Sequence, residues 1–215
     1  MGRQDETRAG LRFFGRVSAS VSHEIKNVFA VINEAAGLIE DFTLMAERGM
    51  PLQPERLKSA ANSIQGQIRR GDAIIKNMNA FAHSTDEDVR EVNLVEGLTL
   101  AVALSTRFAD MRQVKLTMGE CEPVSMVVSP FDLTRLLHSS IAAALDRLEA
   151  GDTLVIGVRP EGGGASFSLS SPGKDGPLRD DESFADLARA MNASVSVNEK
   201  TGTSELLLER AGSSE

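Results

Sequence analysis

The stretch SVSHEIKNVFAVINEAAGLIEDF, Ser20 to Phe42, decides the first half of the fold. Its apolar residues recur in alternating steps of four and three, Val21, Ile25, Val28, Ile32, Ala35, Ile39 and Phe42, and so form one seam along a long helix. That helix is predicted from Leu11 to Arg48, where Gly49 and the two prolines of GMPLQP break it. A second periodic run starts at Glu55, with Leu57, Ala61, Ile64, Ile68, Ile75, Met78 and Ala82. Two long helices joined by a short turn make an antiparallel hairpin. Such a pair has one side to bury, so a second copy is predicted to complete a four-helix bundle as a homodimer.

Inside the seam sit three polar residues. A turn of about 100° per residue puts His23 on the outside, Asn27 one turn further along that face, and Glu24 directly beside His23. Phosphoryl transfer suits this set. A neutral imidazole is a nucleophile near neutral pH, and a carboxylate at its other ring nitrogen fixes the tautomer and stabilises the positive charge that develops. An amide at the next turn would orient a water. An exposed histidine on a helix is more often an ordinary surface residue, so context has to carry the assignment.

The totals narrow the context. The chain has 215 residues, 41% of them hydrophobic, enough for two modest domains. With 31 acidic and 23 basic residues the formal charge is −8, and no basic block offers a footprint for nucleic acid. Cys121 is the only cysteine, which excludes an internal disulfide and suits a reducing cytoplasm. The polar start MGRQDETRAG and the lack of about 18 consecutive apolar residues argue against a signal peptide and a membrane partner. HEIKN lacks the second histidine that a zinc-binding helix needs, so no metal site is predicted. His83 reads as a solvated or capping residue and His138 as an interior or boundary histidine.

Beyond the hairpin the pattern changes. The charged segment STDEDVRE, residues 84–91, reads as a hinge, giving domains at 1–86 and 87–215. A helix is predicted over 94–111, strands at VKLTM and VSMVV, and a helix over 130–149. TLVIGV and SFSLS follow as strands, then a loop over 171–182, a short helix over 183–191, and a closing hairpin of SVSV with ELLLE. Helices alternating with paired strands predict an α+β class, an open sheet covered on one face by helices.

SHEIKN on the first helix of a dimerising hairpin resembles the phosphoacceptor box of two-component sensor histidine kinases. The resemblance runs through nearly the whole chain. NMNAFAHSTDEDVREVNL looks like that family's passage into its ATP-binding domain, VVSPFDLTRLLHSSIAAAL like the strand and helix of the asparagine box, and MNASVSVNEKTGTSELLLER like the closing hairpin. The resemblance implies a GHKL (Bergerat) type α/β sandwich for the second domain. It also implies a degenerate nucleotide site. The asparagine that holds the magnesium of ATP aligns with Ala143 and an earlier one with Ser139; a methyl group cannot supply the hard oxygen ligand that Mg²⁺ needs. The aspartate that reads adenine aligns with Ser171, Gly173 is kept, and Asp175 replaces a second glycine. Asp180, Asp181 and Glu182 occupy the region of a later glycine-rich box, where they would repel a triphosphate.

This combination resembles the ChpT-like histidine phosphotransferases, built from a degenerate kinase core. Three functions follow as expectations. The first is a phosphorelay in which His23 accepts a phosphoryl group from one response-regulator receiver aspartate and passes it to another, Glu24 assisting and the receiver supplying Mg²⁺, with no ATP bound by this chain. The second is a receiver phosphatase using Asn27. The third is a non-catalytic pseudokinase that docks receivers, in which Phe29 is either part of a docking patch or core.

Overall fold

The computed structural model describes residues 3–178, 182–198 and 201–210. It has the α+β architecture expected. The elements are α1 (Arg3–Glu47), α2 (Pro54–His83), β1 (Arg90–Asn93), α3 (Leu94–Met111), β2 (Lys115–Cys121), β3 (Ser125–Val128), α4 (Pro130–Leu145), β4 (Thr153–Glu161), β5 (Gly164–Ser170), α5 (Glu182–Ala190), β6 (Ala193–Asn198) and β7 (Thr203–Leu208). Among the described residues no helix is long and apolar enough to cross a membrane.

Two compact units emerge, one of Phe14–Asn79 and one of Met1–Phe13 with Ala80–Glu215. The hairpin unit therefore begins within α1 and ends within α2.

In the hairpin unit, Val28 and Ala35 of the predicted α1 seam are buried, and Val21, Ile25, Ile32, Ile39 and Phe42 are half-buried. On α2 the inward stripe is shifted from the one the periodicity suggested. Leu57, Ala60, Ile64, Gln67, Gly71, Ile74 and Met78 turn inward, while Ala61, Ile68 and Ile75 are exposed. Small residues explain the shift. A methyl group at Gly71 would touch Val28 Cγ1 at 3.4 Å, so the bare glycine lets the helices approach there. A search for large apolar residues passes over such a position.

The second unit is a layered α/β sandwich. Its five-stranded sheet runs β2-β4-β5-β7-β6, with β2 and β4 parallel and the other neighbours antiparallel. One face alternates as a half-buried sheet should. Leu154, Ile156 and Val158 of β4, Ala165, Phe167 and Leu169 of β5, and Leu206 and Leu208 of β7 all point into one core with α3, α4 and α5. Asn93 starts α3 by accepting from the Val95 and Glu96 amides, and Ser129 starts α4 by accepting from the Asp132 amide, with Pro130 in the first turn.

Two expectations are corrected. Strand β1 pairs antiparallel with β3, Arg90 opposite Val128 through Asn93 opposite Ser125, within and just after the segment read as a hinge. Four residues with one buried side chain carry too little alternation to be seen in sequence. Helix α4 ends at Leu145 rather than 149: Asp146 caps it, the Arg147 and Leu148 amides tighten to the carbonyls three residues back, and the following turn holds Gly151 at φ +95° with the Asp152 carboxylate accepting from the Glu149 amide at 2.8 Å.

Candidate functional site

Residues 20–32 stay helical because the apolar positions on either side of His23 engage the seam, which leaves the intervening side chains outward. His23 and Asn27 are both exposed on α1. Four residues apart, they lie within about 40° of each other around the helix and about one turn along it, close enough for one partner surface to reach both. Glu24 is half-buried and turned toward the seam side. The three residues therefore form an outer pair with a carboxylate at its inner margin, rather than one flat stripe. Phe29 is 64% exposed on the single chain.

The second unit gathers its own polar cluster. Residues 171–178, SPGKDGPL, form a loop fastened at its C-terminal end. The Ser204 hydroxyl donates to the Leu178 carbonyl at 2.6 Å and accepts from the Leu178 amide at 2.9 Å, and both residues are fully buried. The Gly176 amide donates to the Gly202 carbonyl at 2.9 Å. Gly176 has φ +53°, and a methyl there would stand 2.9 Å from Val197 Cγ1, so only glycine closes the loop onto β6.

Lys174 reaches from this loop to the turn after α4. Its ammonium donates to Glu149 Oε2 at 3.0 Å and lies 3.5 Å from Asp152 Oδ2. The hydrogen bond to Glu149, then the charge of Asp152, hold its pKa above the ordinary lysine value. A cleft of about 380 Å³ beside this contact is lined by Asp146, Arg147, Leu148, Lys174, Asp175, Gly176 and Pro177.

Of Ser139, Ala143, Ser171 and Asp175, only Asp175 lines that cleft. Ala143 is 8% exposed and packs in the core, and Ser139 on the same helix is half-buried. Ser171 is 5% exposed. Asp180, Asp181 and the Glu182 side chain lie outside the described residues. Lys174, Glu149 and Asp152 were missed in sequence because the contact closes across the whole of β4 and β5, leaving no local pattern.

The remaining histidines have settled places. His83 Nδ1 lies 2.8 Å from Asp86 Oδ2 in the turn after α2. His138 is buried between Phe13 and Phe108, its ring edge-on to both at 5.1 and 5.3 Å. Phe13 also meets Phe81 and Phe131 within the second unit. Among the described residues, no three His, Cys, Asp or Glu side chains are grouped to hold a metal.

No protein-family model and no curated protein sequence matches the chain. Among solved structures, a bacterial phosphotransferase is similar at 14% identity and TM-score 0.47, over 97% of this chain and 98% of that one. The Acinetobacter baumannii histidine kinase AdeS is similar at 11% identity and TM-score 0.46, over 88% of this chain and 98% of that one. The histidine kinase ThkA, solved in complex with the response regulator protein TrrA, is similar at 16% identity and TM-score 0.45, over 93% of this chain and 62% of that one.

Proposed function

We propose that the chain is a two-component histidine phosphotransferase acting in the cytoplasm. His23 takes a phosphoryl group from the aspartyl phosphate of one response-regulator receiver and gives it to the aspartate of another. The observation that carries this reading is the exposure of His23 beside Asn27 on an otherwise seam-bound helix. In the forward step an unprotonated ring nitrogen attacks phosphorus, the P–N bond forms, and the acyl P–O bond breaks to restore the receiver's carboxylate. The other ring nitrogen keeps its proton, and Glu24 stabilises the resulting positive charge. The receiver brings its own Mg²⁺.

Transfer from ATP fits this chain poorly. Ala143 offers no oxygen to a metal and packs into the core, and Ser171 takes the place of the adenine-reading aspartate. Lys174 is engaged by Glu149 and Asp152, and Asp175 adds a carboxylate to the cleft wall. These features support donation by another protein.

A homodimer belongs to the same proposal. Phe29, Ile68 and Ile75 are at least half exposed on the hairpin, an apolar surface that a second copy would cover in a four-helix bundle.

The test is to incubate the protein with Mg-ATP alone, and separately with a phosphorylated receiver. The receiver should leave an acid-labile, base-stable label that His23→Ala abolishes, and ATP alone should leave none. Label that persists in His23→Ala, or label from ATP alone, defeats the proposal. Asn27 supports a second activity, because its amide shares the exposed face and is placed to orient a water against a receiver's phosphoryl group. Asn27→Ala should then slow receiver dephosphorylation while labelling of His23 continues.

A further inference from the structure

The hairpin unit is electrically polarised along its length. The close approach of Gly71 to Val28 sets residues 66–79 of α2 beside residues 20–33 of α1. The His23 half, residues 14–33 with 66–79, carries Arg16, Lys26, Arg69, Arg70 and Lys76, all exposed, against exposed Asp72 and half-buried Glu24. The other half, residues 34–65, reverses the balance. It holds five acidic residues, Glu34, Glu40, Asp41, Glu47 and Glu55, against Arg48, Arg56 and Lys58. In a chain of net charge −8, the excess of positive charge around His23 is therefore local.

We propose that this basic end is a docking surface for a protein domain with a net negative, carboxylate-lined face. Resting on the proposed relay, the occupant is the receiver itself, which brings to His23 an aspartate bearing a negative phosphoryl group. Complementary charge of this kind acts on encounter: exposed charges at the rim of an interface raise the association rate, and salt screens them within about 8 Å at physiological ionic strength. The acidic tip repels the same face. Glu47 is separated from His23 along α1 by roughly 36 Å of helix rise, several screening lengths, so the tip discourages end-on approach without weakening capture at His23.

The experiment measures the second-order rate of label transfer to His23 from an acidic single-domain receiver loaded with acetyl phosphate, at low and at high salt. For the wild type the rate should fall about tenfold or more as salt rises. The variant carrying Lys26→Glu, Arg69→Glu, Arg70→Glu and Lys76→Glu should be slowed by a similar factor at low salt and converge on the wild type at high salt, with the final amount of label unchanged. Glu40→Lys with Glu47→Lys at the tip should leave the rate within about twofold, by the same screening. Thermal melting checks that each variant is folded. Should the fourfold variant fail to fold, Lys26→Gln and Lys76→Gln singly, with the wild-type salt series, serve instead. Equal low-salt rates for wild type and basic-end variants, or a rate indifferent to salt, overturn this inference and leave the relay standing. Absence of label on His23 from any receiver removes the relay and this surface with it.

Discussion

The hairpin unit and the α/β unit handle apolar side chains differently. In the α/β unit, Phe167, Ile141, Leu154 and Leu206 are essentially inaccessible, and three helices close over one sheet face. In the hairpin, Ile68 and Ile75 remain half exposed and the inward stripe of α2 is given over partly to Gln67 and Gly71. One unit satisfies its own hydrophobic demand. The other leaves apolar side chains exposed, and it also presents His23. The difference teaches that burial is unevenly shared: the α/β unit covers its large apolar side chains itself, while the hairpin leaves some of its own in the open on the same helices that expose His23.

Substitutions can break or sharpen this contrast. Phe167→Ala should cost the α/β unit about 3–5 kcal/mol, read as a lower urea midpoint, because it empties a fully buried position between β4 and β7. Equal loss from a hairpin substitution such as Leu44→Ala would erase the distinction. Ile68→Lys with Ile75→Lys should remove roughly 2–3 kcal/mol of association per protomer, since about half of each side chain is still available for burial. Sedimentation should then show a dimer becoming a monomer, and a wild type that is already monomeric would end the four-helix proposal.

Ser204→Ala should cost about 1–2 kcal/mol by orphaning the buried Leu178 amide and carbonyl, and proteolysis should reach the 171–178 loop sooner. The smallest effect is expected at Lys174. The hydrogen bond to Glu149 raises its folded pKa, so its contribution is present in full below the unfolded lysine value, roughly 10.4, and is lost as pH rises through the raised folded value. Stability of wild type and Lys174→Met should therefore differ slightly at neutral pH and converge in strong alkali. The contact is partly exposed, so screening keeps it weak.

Much of the fold was legible from periodicity. Helices α2 and α3 and strands β4 to β7 fall where apolar spacing and turn residues put them, because each is long or regular enough to carry its own pattern; α1 ends where expected but starts at Arg3, eight residues before the predicted Leu11, in a polar stretch with no apolar period to reveal it. β1 was not, since its four residues gain strand structure only from pairing with β3. His23 and Asn27 were legible as an exposed pair because helical geometry alone orients residues four apart. Glu24 was placed on the same stripe, whereas its half-buried position follows from where α2 packs.

By itself, then, the sequence determined the long helical hairpin, the order of the α/β elements and the outward setting of His23 and Asn27, all consequences of spacing along one chain segment. Tertiary structure alone decided that α2 turns Gln67 and Gly71 inward and leaves Ile68 and Ile75 out, that Ala143 enters the core, and that Lys174 joins Glu149 and Asp152. These depend on contacts between segments far apart in the chain. Which of two adjacent side chains is buried there is set by the neighbour's shape and charge, and a one-dimensional pattern does not contain that neighbour.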